Sequence, residues 1–173
     1  MSILKICKKY IKLLKYTLIR HNQRETKMAS VFDVAKYILQ EKGNMTVMKL
    51  QKLVYYCQAW SLVWDEKPLF NECIEAWANG PVVRELYDLH KGQFELSDLP
   101  KGDSGNLTHE QKKTIDAILE YYSDKSAQWL SDLTHMEAPW NEARKGYPIG
   151  MSCVNEITPA SMHEYYSSLP PEE

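Results

Sequence analysis

Five histidines and four cysteines are the residues of widest chemical range in this chain, and their spacing decides what they can do. His21, His90, His109, His135 and His163 are scattered, with no pair at His-x-x-x-His spacing. Cys7, Cys57, Cys73 and Cys153 include no Cys-x-x-Cys pair, so a zinc site would need long-range assembly. Cys153 and His163 are the pairing to consider, and an ordinary thiol beside a surface imidazole is the better reading of them. No metal and no cofactor is expected. There is no Gly-x-Ser-x-Gly elbow and no phosphate-cradling glycine loop. Asp132 and Glu137 could be drawn as an acid/base pair. A helix-face acid and a capping acid explain them better. The chain is not expected to be an enzyme.

Tyrosine and tryptophan offer another kind of chemistry, since these residues anchor protein interfaces. From Met28 onward there are 17 aromatic residues, including the runs Tyr55-Tyr56, Tyr121-Tyr122 and Tyr165-Tyr166. Neighbours on a helix point about 100° apart, so one member of each run should lie at the core's edge. Tyr55, Tyr121 and Tyr165, with Tyr87 beside its own helix's apolar stripe, are the partner-binding candidates.

The elements that carry these residues are mostly helices. Ser30 with Asp33 reads as a cap for Val31, Val34, Ala35, Ile38 and Leu39, and Gly43 is the stop. After Thr46, the stripe Leu50, Leu53, Val54, Cys57, Trp60 and Trp64 predicts a long helix ending before Pro68. Phe70 to Ala78 lacks helical period, and a short strand is expected near 70–78. Gly80-Pro81 is read as opening a third helix, with Pro81 at its first position, Val82, Val83, Leu86 and Leu89 inward, and Gly92 at its end. Residues 93–107 read as a long loop. Thr108 with Gln111 caps a fourth helix carrying Ile115, Ile118, Leu119 and Tyr122. A fifth carries Ala127, Leu130 and Leu133, and a short sixth holds Trp140 and Ala143 before Gly146. Thr158 and Pro159 start the last, where Ile157 can staple onto Met162. The fold class is mainly α, a single compact domain of six to seven helices with one short strand.

Charge divides the chain. Residues 1–27 hold eight basic residues against one acid, a net +7, and residues 28–173 hold 13 basic and 22 acidic residues, a net −9. The first segment is amphipathic, with Ile3, Leu4, Cys7, Tyr10, Ile11, Leu14 and Leu18 opposite Lys5, Lys8, Lys9 and Lys12. It reads as an upstream extension ahead of a natural start at Met28, as a loosely attached helix, or as a functional basic arm. The expected organisation is this extension, a helical body over 28–169, and an acidic tail over 170–173. A body at −9 works against phosphate binding, so no specific nucleic-acid contact is expected from it. No apolar run reaches a membrane span. The dispersed cysteines suit reduced thiols in the cytoplasm.

Four strings then stand together: KLQKLVYYCQAW (49–60), EAWANGPVVRELY (75–87), LSDLTHMEAPWNEARKG (130–146) and ITPASMHEYY (157–166). In order and spacing they resemble the Panacea domain, the SocA-like family of antitoxins and phage-associated proteins, over about residues 31–166. The resemblance implies a small helical antitoxin that binds and neutralises a toxin encoded beside it. In that family the toxins are varied, several attacking RNA or translation. The alternatives it leaves are an adaptor that hands the toxin to a protease and a phage-encoded enzyme of unknown chemistry. Among the matched residues, Leu50, Leu53, Trp77, Gly80, Pro81, Leu130, Thr134, His135 and Trp140 are expected to hold the fold. The partner implied is a toxin protein, with a basic one favoured by the acidic body.

Overall fold

The computed structural model describes residues 28–170; the basic segment 1–27 and residues 171–173 lie outside them. Within these bounds the chain folds as one mainly helical domain. Helix α1 (Val31–Lys42) starts from a reciprocal cap between Ser30 and Asp33 and stops at Gly43, whose φ is 72°. A short strand β1 (Met45–Thr46) leads into α2 (Val47–Trp64), the longest helix among the described residues, capped by the Thr46 hydroxyl.

Helix α2 is central, and every residue from Leu50 to Leu62 is buried. Helices α1, α4 (His109–Tyr122), α5 (Ala127–Met136) and α7 (Pro159–Ser168) pack around it, as does strand β3 (Gly80–Val83). A helix surrounded on all sides cannot keep a polar stripe, so its polar residues must be satisfied internally. Gln58 does this by accepting from the Leu69 and Phe70 N–H groups and donating to the Phe70 carbonyl. Gln51 brackets Val83 in the same way, taking its N–H at 2.9 Å and donating to its carbonyl at 3.2 Å. This encirclement also overturns the expectation for Tyr55-Tyr56. Both rings are fully buried, because α2 has no outer edge at that level.

The expected short strand is β2 (Ile74–Trp77), which pairs antiparallel with β3 through Ile74↔Val83, Glu75↔Val82, Ala76↔Pro81 and Trp77↔Gly80. The helix expected to open at Gly80-Pro81 begins instead at Arg84, as α3 (Arg84–His90). Pro81 is a strand residue. Opposite it, Ala76 turns its N–H to the Asn155 carbonyl at 2.9 Å and its own carbonyl to Arg144 at 2.7 Å. Pro81 thus faces a rung that asks for no hydrogen bond, where a missing N–H costs nothing. The turn that links the strands is two residues, Ala78 and Asn79, and Gly80 leaves it at φ 102°.

The stretch 93–107, read as loop, contains strand β4 (Glu95–Leu96), paired with β1, and a 3-10 turn at Ser104–Asn106. The capping box of Thr108 and Gln111 is present at the head of α4. Helix α6 (Ala138–Ala143) follows α5 after one residue, Glu137. The Thr158 hydroxyl caps α7, with Pro159 at its first position and Ile157 and Met162 both buried.

Candidate functional site

Where α2, the β2–β3 turn and the α5–α6 junction meet, the sequence places a group of polar side chains inside the protein. Lys52, on α2, is 1% exposed, and its ammonium donates to the Pro81 carbonyl at 3.1 Å. Gly80 is required there. A Cβ on it would stand 2.5 Å from Lys52 Cε and 2.9 Å from both Lys52 Nζ and Thr134 Oγ1. Thr134 is fully buried, and its hydroxyl donates to the Ser131 carbonyl, while Ser131 donates to the Asn79 carbonyl. Burial pulls the Lys52 amine down to about 7 from an ordinary 10.5.

The next residue, His135, stacks on Trp140 with ring centroids 4.1 Å apart. Its Nε2 is buried without a hydrogen-bond partner among the described residues. Burial lowers its pKa, and the charge of Lys52 lowers it further. Trp140 donates its indole N–H to the Trp77 carbonyl at 2.9 Å, tying α6 to the hairpin. Arg144 continues the tie: its guanidinium holds the carbonyls of Ala76 and Met151 at 2.7 and 2.6 Å and stands 5.0 Å over the Trp140 ring.

Glu137 occupies the bend between α5 and α6. It was expected to cap a helix, yet its side chain makes no cap hydrogen bond and turns inward. There Oε2 accepts from Tyr166 at 2.7 Å and from Tyr56 at 3.2 Å, and the Tyr55 and Tyr166 hydroxyl oxygens lie 3.2 Å apart. Burial raises this carboxyl to about 7, with the two tyrosine hydrogen bonds working against it. Asp132 is the exposed helix-face acid expected of it, accepting from Gln128. Cys153 is buried and His163 exposed, and no cluster of metal-ligating side chains occurs among the described residues.

The residues quoted from the sequence strings therefore converge. Gly80, Pro81 and Thr134 lie against Lys52, and His135 feels its charge and stacks on Trp140, which in turn holds the Trp77 carbonyl. Leu50, Leu53 and Leu130 lie in the core. Sequence reasoning missed Lys52, Glu137, Tyr166 and Arg144 as members. The available signal was a lone lysine within an apolar helical run, since lysine is almost never fully buried unless something holds it.

The partner-binding candidates do not converge. Tyr55 is inaccessible in the core. Tyr87 is half-buried on α3, 4.7 Å from the Trp77 ring and 5.5 Å from His90. Tyr121 on α4 and Tyr165 on α7 are half-buried, each packed edge-on against the buried tyrosine that follows it. The surface also carries an apolar loop, with Tyr147, Ile149, Met151 and Val154 all exposed.

The site is thus a helical scaffold in which a buried lysine sits against Thr134 and the turn of a hairpin, whose one aromatic residue, Trp77, is half-buried. The chain belongs to the SocA-like antitoxin family: the family model "Antitoxin SocA-like, Panacea domain" matches residues 50–141, from α2 to α6. No curated protein and no solved structure matches the chain. No helix among the described residues is long and apolar enough to cross a membrane.

Proposed function

We propose that this protein is the antitoxin of a toxin–antitoxin pair and neutralises the product of an adjacent gene by binding it directly. The observation that carries the reading is the family match over the segment whose polar residues hold the scaffold together. Lys52, Thr134, Glu137 and Arg144 are spent on backbone and tyrosine partners inside the protein, so the acting part is the outer surface. That surface belongs to a body of net charge −9 and suits a basic protein, as a toxin that grips RNA would be. The body has no specific affinity for nucleic acid, and the protein acts in the cytoplasm.

The test is co-expression with the adjacent gene, followed by purification on a tag carried by one partner. Growth should be restored and the two chains should elute together at fixed stoichiometry. Rescue by trace amounts of this protein, with no complex and with loss of the toxin band, would identify the protease adaptor instead.

A further inference from the structure

Helix α3 carries two surface features side by side. On one flank is an open groove of about 510 Å³ lined by Phe32, Glu72, Glu85, Asp88, Leu89 and Lys101. Three carboxylates face one ammonium there. The groove already holds a cation of its own, since Lys101 Nζ lies 3.7 Å from the Phe32 ring centroid. Glu72 is fixed in place by the Val31 N–H, which it accepts at 3.1 Å. Glu85 and Asp88 are exposed.

On the other flank is an ordered aromatic platform. Glu75 accepts from Arg84 Nε and Nη2, each at 2.7 Å, and from the Trp77 indole N–H at 2.6 Å. Arg84 is thereby held 5.3 Å from the Trp77 ring, whose other neighbour is Tyr87. Tryptophan, tyrosine and arginine are the residues that dominate binding energies. Here one carboxylate sets the geometry of two of them before any partner arrives, which lowers the ordering cost of association.

We propose that this face of α3 is the toxin-docking surface: a lysine- or arginine-bearing segment of the toxin lies in the Phe32–Glu72–Glu85–Asp88 groove while Trp77 and Tyr87 pack beside it. The proposal rests on the antitoxin reading and adds to it the place and the charge of the contact. Charge selects the occupant. Two bodies at −9 would repel one another, and a phosphate backbone would be repelled by the same carboxylates. The chain's own basic segment 1–27 is the rival occupant, and it is excluded if a chain starting at Met28 binds the toxin no more tightly than the full chain. A basic protein segment is attracted, and long-range attraction of this kind raises the association rate.

The experiment measures association of the full chain with the purified adjacent-gene product by surface plasmon resonance, at about 50 and about 300 mM salt. The double variant Glu85→Lys/Asp88→Lys should weaken binding about a hundredfold, mostly through slower association, and flatten the salt dependence. The milder Glu85→Gln/Asp88→Asn should lose about tenfold, and Tyr87→Ala about tenfold through faster dissociation. Thermal melts of each variant confirm the fold, and Ile149→Asp in the exposed apolar loop should bind as the parent does. Charge-reversed protein that binds within about threefold of the parent, with an unchanged salt slope, would overturn the α3 face while leaving the antitoxin reading standing. Loss of binding in Ile149→Asp alone would do the same and move the contact to the loop. Failure of the parent chain to bind at all would overturn the antitoxin reading itself.

Discussion

The Tyr166 hydroxyl, carried in on the last helix, donates to Glu137 at 2.7 Å in a pocket where both residues are closed to water. Among the described residues no cation pairs with this carboxylate, and its hydrogen-bond donors are the Tyr56 and Tyr166 hydroxyls. Ionised, it is a buried charge held only by two hydrogen bonds, which is why burial dominates its titration.

Stability should therefore depend on pH in two adjoining windows. Glu137 rises from 4.5 to about 7 on folding, so the stability it contributes is full below about 4.5 and is lost as pH climbs towards 7. Lys52 falls from 10.5 to about 7, so its contribution is full above about 10.5 and is lost as pH drops towards 7. Urea unfolding followed across this range should show Glu137→Gln removing a falling slope on the acid side. Lys52→Met should remove a rising slope on the alkaline side. Parallel curves for parent and Glu137→Gln would mean that the carboxyl stays solvated.

Gly80 should tolerate no side chain. At φ 102° any L-residue is strained, and its Cβ would also press on Lys52 and Thr134, both pinned by their own hydrogen bonds. Gly80→Ala should lose on the order of 3 kcal/mol in chemical denaturation. Adding Lys52→Ala should return only the part due to crowding, leaving the backbone strain. Complete rescue by the second change would show that the turn itself is relaxed.

What could be read from the sequence was local. The caps at Ser30, Thr108 and Thr158 are each decided within three residues, and the structure has all three. Gly80-Pro81 was misassigned because proline suits both a first helical turn and a ladder position that needs no N–H. What decides between them lies far along the chain, in Asn155 and Arg144 taking the polar groups of Ala76. Asn79-Gly80, a turn pair lying between the alternating stretch Ile74–Trp77 and Val82-Val83, was the hairpin cue that could have settled it. Tyr55 was misplaced for a related reason: helical period shows that a face is apolar, not how many neighbours enclose the helix. Lys52 and Glu137 were illegible as a buried pair of titrating groups because their burial is made by segments distant in sequence.

A chain starting at Met28 should fold as cooperatively as the full chain. Asp33 closes the start of α1 by itself, accepting from the Ser30 backbone and hydroxyl and from Asp103 and Asn106. The charge also changes sign there, from +7 to −9. Melting temperature and unfolding slope should match those of the full chain. A loss of more than about 5 °C would show that residues before Met28 contribute packing.

Arg144 should decide whether the apolar loop keeps its shape. It is 5% exposed, and one guanidinium reaches the carbonyls of Ala76 in β2 and of Met151 in the loop, so strand, helix and loop share a single clamp. Lysine has one nitrogen and cannot span these acceptors. Arg144→Lys should therefore leave a buried carbonyl unsatisfied, at a cost of about 1–3 kcal/mol. Arg144→Met should cost more, because both carbonyls lose their donor. In both variants amide hydrogen exchange should accelerate over residues 147–154 while the α2 amides stay protected, since the loop opens before the core. Equal acceleration in the loop and in α2 would show that Arg144 holds the whole fold together and not the loop alone.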